Sequence, residues 1–574
     1  MNSTSFGDGE TTADDLPGLL AAWARRCPDD PAVSHLDYRV NPRGVLTKWS
    51  WRELDERVDA VASWLGGRVR PGGTVAVLIG QTPDYHAAFL GALRAGMVAV
   101  PLFPPGLPGH GERLASVLRD CGAKTVLTIQ DTAVEVEDFL RTHGLPVDQI
   151  VSVDKLPATF GAGFAPIPPA QDAIAYLQYT SGSTGDPRGV MITHANVVAN
   201  ARQACAAYGV RQDSVSVSWL PLFHDMGLVL SIAAPLTSGM RAVLMDPLAF
   251  LEKPERWLQA LSANPGAITA APSFAYGYCA ARVSDWEKAR LRLDTVLALI
   301  DGSEPVQAGV IDRFYAAFAE CGLKPDVYSP SFGLAEATVF VSAGRGGLIR
   351  RLDRAELAAG HAVAASANHP DSIRLVSCGQ SIGQRVFVVD PDTGIPRPAG
   401  EVGEIWVAGP NVGQGYWGRP EESRRTFGNT VPGYEGSWLA TGDLGVWCDG
   451  ELFVTGRIKD LIVVDGRNHY PQDVERTAES AHGAIRPRNV VAFSVAGSDG
   501  ESAVVLAERA KAVNGVDPDE VAAAVRAAVA RAHGLALREV RLVEPEELPR
   551  TTSGKISRSA CRTRYLADIL TEAV

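Results

Sequence analysis

None of the eight cysteines in this 574-residue chain stands in a Cys-x-x-Cys pair, and none joins histidines at zinc-ligand spacing. Those absences argue against a disulfide framework and a structural zinc site, and fit reduced thiols in a cytosolic protein. Positive charge is short as well: 54 Lys and Arg against 66 Asp and Glu leave a net charge of -12. A nucleic-acid partner, which selects for a basic surface, is disfavoured. No apolar run reaches the ~20 residues that span a bilayer. The longest candidate, 229–245, is interrupted by Ser231, Thr237, Ser238 and Arg241. Internal repeats of ~20–50 residues are missing too, which excludes a solenoid. The stretch Met1 to Asp15 is polar and acidic, with no basic leader and no apolar core. It reads as a disordered tail over residues 1–14 rather than a secretory signal.

What is present is an ordinary globular composition, 46% hydrophobic and 21% charged, in a chain long enough for several domains. Leu16, Leu19, Leu20 and Trp23 recur at helical spacing. Ser50-Trp51-Arg52-Glu53 fits a capping box, with Leu54, Val58, Val61 and Leu65 as the apolar face of the helix it opens. Strands and helices then alternate: strands near 74–79, 97–101 and 125–128, helices near 85–95 and 111–120. Such alternation predicts a parallel sheet covered by helices. From Val376 onward the pattern becomes a β-meander, and beyond 456–460 it resets to a small unit. That unit has a helix at 471–480, a hairpin of 490–495 with 503–508, and a helix opened by Asp517-Pro518 and closed at Gly534. Residues 345–374, rich in small and charged side chains, read as an insertion.

Chemistry concentrates at strand ends. Thr180–Gly189 holds four aliphatic hydroxyls and three glycines after the apolar run 173–178. Gly permits close backbone approach and the hydroxyls add donors, so the loop suits a polyphosphate. No Gly-Lys-Ser/Thr closes it, which disfavours a Walker loop. The strand at 215–219 leads into Phe223-His224-Asp225-Met226-Gly227. A buried strand ends in Asp301-Gly302-Ser303-Glu304, and a further one in Ser331-Phe332-Gly333-Leu334-Ala335-Glu336-Ala337-Thr338. Thr441-Gly442-Asp443 places a carboxylate in a tight turn, and Thr552-Ser553-Gly554-Lys555 places a cation on another.

Taken together and in this order, these islands resemble the acyl-adenylate-forming superfamily, over nearly the whole chain after the first dozen residues. Within it the chain is most similar to fatty acyl-AMP ligases. The phrases Tyr176–Thr184, Phe223–Leu228, Gly333–Thr338 and Gly466–Asp473 carry that likeness, as does the insertion after Thr338. Two departures stand out. Arg188 replaces a common Lys, and Asp301-Gly302-Ser303-Glu304 replaces the usual Asn-Gly-Ala-Glu. The resemblance implies an α/β protein: a large N-terminal domain of parallel α/β subdomains plus a β-rich subdomain, and a small mobile α+β C-terminal domain. Its implied limits are 15–456, with the insertion near 345–374, a hinge at 457–460 and a lid at 461–574.

The reaction it implies is attack of a fatty carboxylate on the α-phosphate of ATP, giving acyl-AMP and pyrophosphate. Lys555 would stabilise the growing charge. Thr180, Ser181, Gly182, Ser183, Thr184 and Gly185 would hold the phosphates, joined by Arg188. Glu336 would bind Mg²⁺, with Thr184 beside it. Phe332 would stack on adenine, with Ser331, Gly333, Leu334, Ala335 and Thr338 around it and the Asp301, Gly302, Ser303 and Glu304 turn along its edge. Asp443 would accept from the ribose hydroxyls, with Arg457 near, and His224 would stand at the carboxylate entrance. Lys459 occupies the hinge. Phe274, Ala275, Tyr276 and the segment from Leu228 to Leu236 line an acyl tunnel or else pack the core. The acceptor implied is the phosphopantetheine thiol of an acyl carrier protein, with the basic stretch Arg550–Arg564 as a docking candidate. An acyl-CoA ligase would share the first half-reaction. A non-catalytic nucleotide- or lipid-binding relative would have no use for Lys555, Glu336 and Asp443 together.

Overall fold

The computed structural model describes residues 13–106, 110–166, 168–170, 172–180, 187–369, 371–464, 467–497, 500–511, 513, 515–551 and 554–572. Two mainly parallel sheets build the large part of the chain. One runs in the order Gln149–Ser152, Thr125–Thr128, Thr74–Leu78, Val98–Leu102, Ile174–Thr180, Arg188–Thr193. Only its last pair is antiparallel. The other has eight strands and is parallel through its centre, with antiparallel pairs at both edges. Its neighbours Ala267–Ala271, Ala298–Asp301 and Tyr328–Gly333 lie side by side. Strands covered on both faces read as continuous apolar runs, as Val98–Leu102 does.

The expected helices form where their signals stand. Ser50 and Glu53 make the reciprocal capping box of helix Trp51–Leu65, and Asp517 caps Pro518–His533, which ends at the left-handed Gly534. After the phosphate-type stretch the chain enters the helix His194–Tyr208 by way of a further strand. That strand, Arg188–Thr193, pairs with Ile174–Thr180, so the loop closes a hairpin. The expected tail is shorter than 1–14 among the described residues, because the Ala13 carbonyl accepts from Arg202 at 3.2 Å.

Four antiparallel strands, Arg385–Val389, Gly403–Ala408, Leu439–Cys448 and Glu451–Arg457, form the β-rich unit. The C-terminal unit is a three-stranded sheet, Ile485–Gly497, Gly500–Arg509 and Leu537–Val543. Val490 and Ala492 face helices Pro471–Glu479 and Pro518–His533, while Val491, Phe493 and Val495 face Cys561 and Tyr565 of helix Arg558–Glu572. Both faces are apolar because both are covered. The third strand and last helix were not anticipated from the sequence. The 345–374 insertion folds as a hairpin, Ile349–Asp353 with Ser372–Val376, and a short helix Arg354–Ala358. It seats on the C-terminal unit: Leu352, Leu357 and Ile373 cluster with Tyr470, and Arg354 reaches Asp473 at 2.7 Å. No helix among the described residues is long and apolar enough to cross a membrane.

Candidate active site

The ends of two neighbouring parallel strands set the floor of the site, as open α/β sheets place ligands outside carboxyl ends of strands. Gly302 and Ser303 end one, and Ser331, Phe332 and Gly333 end the next; together they line the mouth of a narrow cavity of about 80 Å³. Gly333 is obligatory there, since a Cβ would stand 1.6 Å from the Val339 carbonyl oxygen. Beyond it Leu334 leads to the short turn Ala335–Ala337 that carries Glu336. Thr338 closes the turn at φ 68°, a strained conformation for a β-branched residue. Its buried hydroxyl donates to the Asn411 carbonyl at 2.7 Å, and Asn411 in turn donates to the Ala337 carbonyl. Thr338 therefore positions the Glu336 turn instead of presenting its hydroxyl to a nucleotide.

Glu336 is aimed from two sides. Its carbonyl accepts from Gly413 N–H at 2.9 Å, and its Oε1 accepts from the Tyr416 hydroxyl at 2.8 Å. Oε2 has no donor among the described residues. Arg188 lies over the Tyr416 ring and pairs with Glu422 at 3.2 Å. Thr180 ends its strand beside Arg188. Ser181, Gly182, Ser183, Thr184 and Gly185 lie outside the described residues.

Asp443 comes from the β-rich unit. Glu404, buried and unforeseen, accepts from Gly442 N–H and Trp406 Nε1, both at 2.8 Å; the Thr441 hydroxyl donates to the Ile405 carbonyl and accepts from Asp443 N–H. These bonds fix the turn that carries the buried Asp443. Arg457 donates to Asp443 Oδ1 at 2.8 Å. Burial pushes the Asp443 carboxyl up and the Arg457 guanidinium pulls against it. Lys459 sits in the following turn Ile458–Asp460, its ammonium pushed down by burial, with Arg457 opposing its charge and Asp460, Asp443 and Glu336 favouring it.

Lys555 arrives from the C-terminal unit and donates to the Ser303 carbonyl. Ser303 adopts φ 71°, which turns that carbonyl toward the incoming lysine. Burial lowers the Lys555 pKa, opposed by the nearby carboxylates Glu304 and Asp225. Glu304 is raised by burial, with Lys555 pulling it back, and accepts from Phe274 N–H at 2.8 Å. Asp225 is half-buried, and His224, the Met226 N–H and Lys555 together outweigh the burial and lower its pKa. His224 stands 3.6 Å from Asp225 at the start of the helix.

Asp301 faces away from the mouth. It is fully buried beneath the Tyr328 hydroxyl, and burial raises its pKa well above the usual carboxylate range. It supports the turn where an adenine-edge contact was expected. The cavity behind the mouth is walled by Val229, Leu230, Ala234, Cys205, Tyr208 and Ile268. Ala275 and Tyr276 are packed into the core behind it, and Tyr276 stacks among Trp257, Phe314 and Tyr328. Leu228 is fully buried and Phe274 lies nearer the C-terminal unit, its carbonyl accepting from Arg488. The wall is shaped by a π-turn at Val229–Ala233, which widens the helix that follows His224. Its sequence signal is the mostly apolar run after Gly227, broken at Ser231.

Residues 20–417 match the family model described as AMP-binding enzyme, and 459–573 match one described as Disco-interacting protein 2-like, AMP domain. A long-chain-fatty-acid–AMP ligase FadD26 of Mycobacterium marinum is 41% identical, the alignment covering 96% of this chain and 97% of that one. A long-chain-fatty-acid–AMP ligase FadD32 of Mycolicibacterium smegmatis is 39% identical, covering 97% and 96%. Among solved structures, a fatty acyl-adenylate ligase from L. pneumophila in complex with acyl adenylate and pyrophosphate superposes with a TM-score of 0.75 at 31% identity. That match covers 97% of this chain and 96% of the other.

Proposed function

Because the chain belongs to the AMP-binding enzymes, in their fatty acyl-AMP ligase branch, we propose that it activates a fatty acid with ATP and hands the acyl group to a phosphopantetheine thiol on an acyl carrier protein. In the first step a carboxylate oxygen bonds to the α-phosphorus while the bond to the bridging oxygen of pyrophosphate breaks. No proton is lost or gained at the reacting atoms. The obstacle is bringing two anions together, so the site has to supply positive charge and alignment.

The observation that carries this reading is the delivery of Lys555 to the Ser303 carbonyl, at the mouth shared by Gly302, Phe332 and Gly333. The ammonium held there meets negative charge as it grows on the α-phosphate. Asp443, with Oδ1 engaged by Arg457, keeps Oδ2 for the ribose hydroxyls. Phe332 offers its face to adenine and His224 flanks the approach of the carboxylate. Glu336 suits Mg²⁺, which is held by one or two carboxylates plus phosphates and water, and its Oε2 is aimed and unspent. Thr184 would join it. When bound, the metal neutralises phosphate charge.

The insertion bears on the acceptor. Leu357 and Tyr470 pack across the seam between insertion and lid, and exposing just two such side chains costs ~3–6 kcal/mol. That biases the lid against rotating about Lys459 by roughly 10²–10⁴-fold, a motion a CoA acceptor would need. A cytoplasmic location fits eight free cysteines.

The test is a mass-spectrometric product assay with ATP, Mg²⁺ and C6–C18 fatty acids, alone, with CoA, or with a phosphopantetheinylated carrier protein. Acyl-AMP that survives CoA but loads the carrier is the expected result. Acyl-CoA forming at a comparable rate would overturn the acceptor assignment, and absence of any adenylate would overturn the substrate assignment.

A further inference from the structure

A second cavity, of about 760 Å³, lies between the insertion hairpin and the lid helices Pro471–Glu479 and Pro518–His533. Five arginines line it: Arg351, Arg354 and Arg374 from the large domain, Arg476 and Arg531 from the lid. Asp473 is the only acidic lining residue; it is already taken by Arg354 at 2.7 Å and Arg476 at 3.2 Å. Arg374 leans out to Asp312 at 2.8 Å. Arg351 donates to the Ser372 hydroxyl, and among the described residues neither it nor Arg531 pairs with a carboxylate.

The placement of two of these arginines is costly. Arg351 and Arg374 stand directly opposite each other on the antiparallel hairpin, where like charges repel. His533 is pushed down to about 4, by burial first, with Arg354 and Arg476 adding to it against Asp473. Opposite the arginines, Ala524, Ala527, Ala528 and Ala532 present short side chains that leave the space open. A cation-lined hollow of this size, with unpaired guanidinium groups on both walls, matches the bidentate recognition that guanidinium gives phosphate oxygens.

We propose that this cleft binds a small phosphate-class polyanion, inorganic polyphosphate or a nucleoside polyphosphate, and holds the lid in its present arrangement when it does. The anion bridges Arg351 on one domain to Arg531 on the other, so a rotated lid takes half the site away. A ligand that binds one arrangement alone stabilises it in proportion to ln(1 + [L]/Kd). The lid-holding half rests on the reading of the lid as mobile.

The experiment uses the full chain saturated with a non-hydrolysable acyl-sulfamoyl adenosine, so that the nucleotide site is filled, and follows calorimetric titration with inorganic triphosphate or, in parallel, GDP, without Mg²⁺. Binding of the acyl-sulfamoyl adenosine reports on the adenylation reading by itself. One saturable equivalent of triphosphate or GDP is expected, weakened at least tenfold by Arg351→Gln with Arg531→Gln and unchanged by Arg562→Gln; the tighter probe identifies the source of the phosphate. In anion-free buffer the Arg351→Gln chain melts no lower than the parent, because it loses a repulsion. No saturable binding, equal affinity in the double variant, or a lower melting temperature for Arg351→Gln would overturn the proposal.

Discussion

The C-terminal lid meets the large domain along two seams of opposite character. At the active site the contact is made by long charged side chains: Lys555 to the Ser303 carbonyl, and Arg488 to the Phe274 carbonyl at 2.8 Å. At the insertion it is made by packed apolar groups, Leu352, Leu357, Ile373 and Tyr470, locked by Arg354 on a buried Asp473. Single hydrogen bonds exposed to competing water are worth about 0.5–1.5 kcal/mol, whereas each buried apolar side chain is worth about 1.5–3 kcal/mol. The first seam can therefore place charge without gripping the lid, and the second grips it without touching the chemistry. Four substitutions separate the two.

Lys555→Ala should have the largest effect, lowering adenylate formation by ~10²–10³-fold, the loss seen when one donor to a developing anion is removed. Pyrophosphate release measures it. A drop of less than tenfold would mean that the lysine at Ser303 is idle in this step. Arg354→Ala should come next, and by another route. It leaves Asp473 buried with Arg476 as its remaining close arginine, which costs ~1–3 kcal/mol at the insertion seam. Adenylation should persist while acyl-CoA formation rises; unchanged rejection of CoA would show that this seam does not hold the lid.

A pH profile sharpens the first seam further. Lys555 works charged, and burial lowers its pKa below the ordinary 10.5. Its contribution is therefore complete at lower pH and is lost as pH climbs through that depressed value. Glu304 opposes the depression, so Glu304→Gln should move the alkaline limb of the adenylation rate to still lower pH. A limb that stays in place would dissociate the two groups. The smallest effect is expected of Gly277→Ala. Its Cβ would lie 2.0 Å from Arg488 Nη2 and push a flexible guanidinium off the Phe274 carbonyl. The loss is one hydrogen bond, on the order of 1 kcal/mol or a few-fold in rate. A fall as large as that of Lys555→Ala would mark Arg488 as part of the chemistry.

Much of this architecture was legible residue by residue. The capping box at Ser50, the Gly534 stop and the strands read near 74–79, 97–101 and 125–128 report local physics, and local physics decides them. The three-stranded sheet of the lid was only partly legible. Leu537–Val543 carries Arg538, Glu539 and Arg541, and its burial depends on parallel pairing with Gly500–Arg509. Arg558 shows the same limit from another side. It belongs to the basic stretch read as a docking candidate, yet it is tied to Asp460 of the hinge at 2.9 Å and to Glu475 of the lid at 2.7 Å. Of that stretch, Arg562 is an exposed member and donates to the Ser494 carbonyl at 2.9 Å.

The sequence by itself determined the elements, their order and the chemical groups at the strand ends, because turns, caps and apolar periodicity are written within a few residues of where they act. Only the tertiary structure decided which of those groups share a space. It turned Asp301 inward under Tyr328, spent the Thr338 hydroxyl on Asn411, recruited Glu404 to fix the Asp443 turn, and lined the cavity behind the mouth with Val229 and Leu230 of a π-turn while Ala275 and Tyr276 pack in the core. Each outcome depends on contacts between residues tens to hundreds of positions apart, where burial and close packing, not local preference, set the direction a side chain takes.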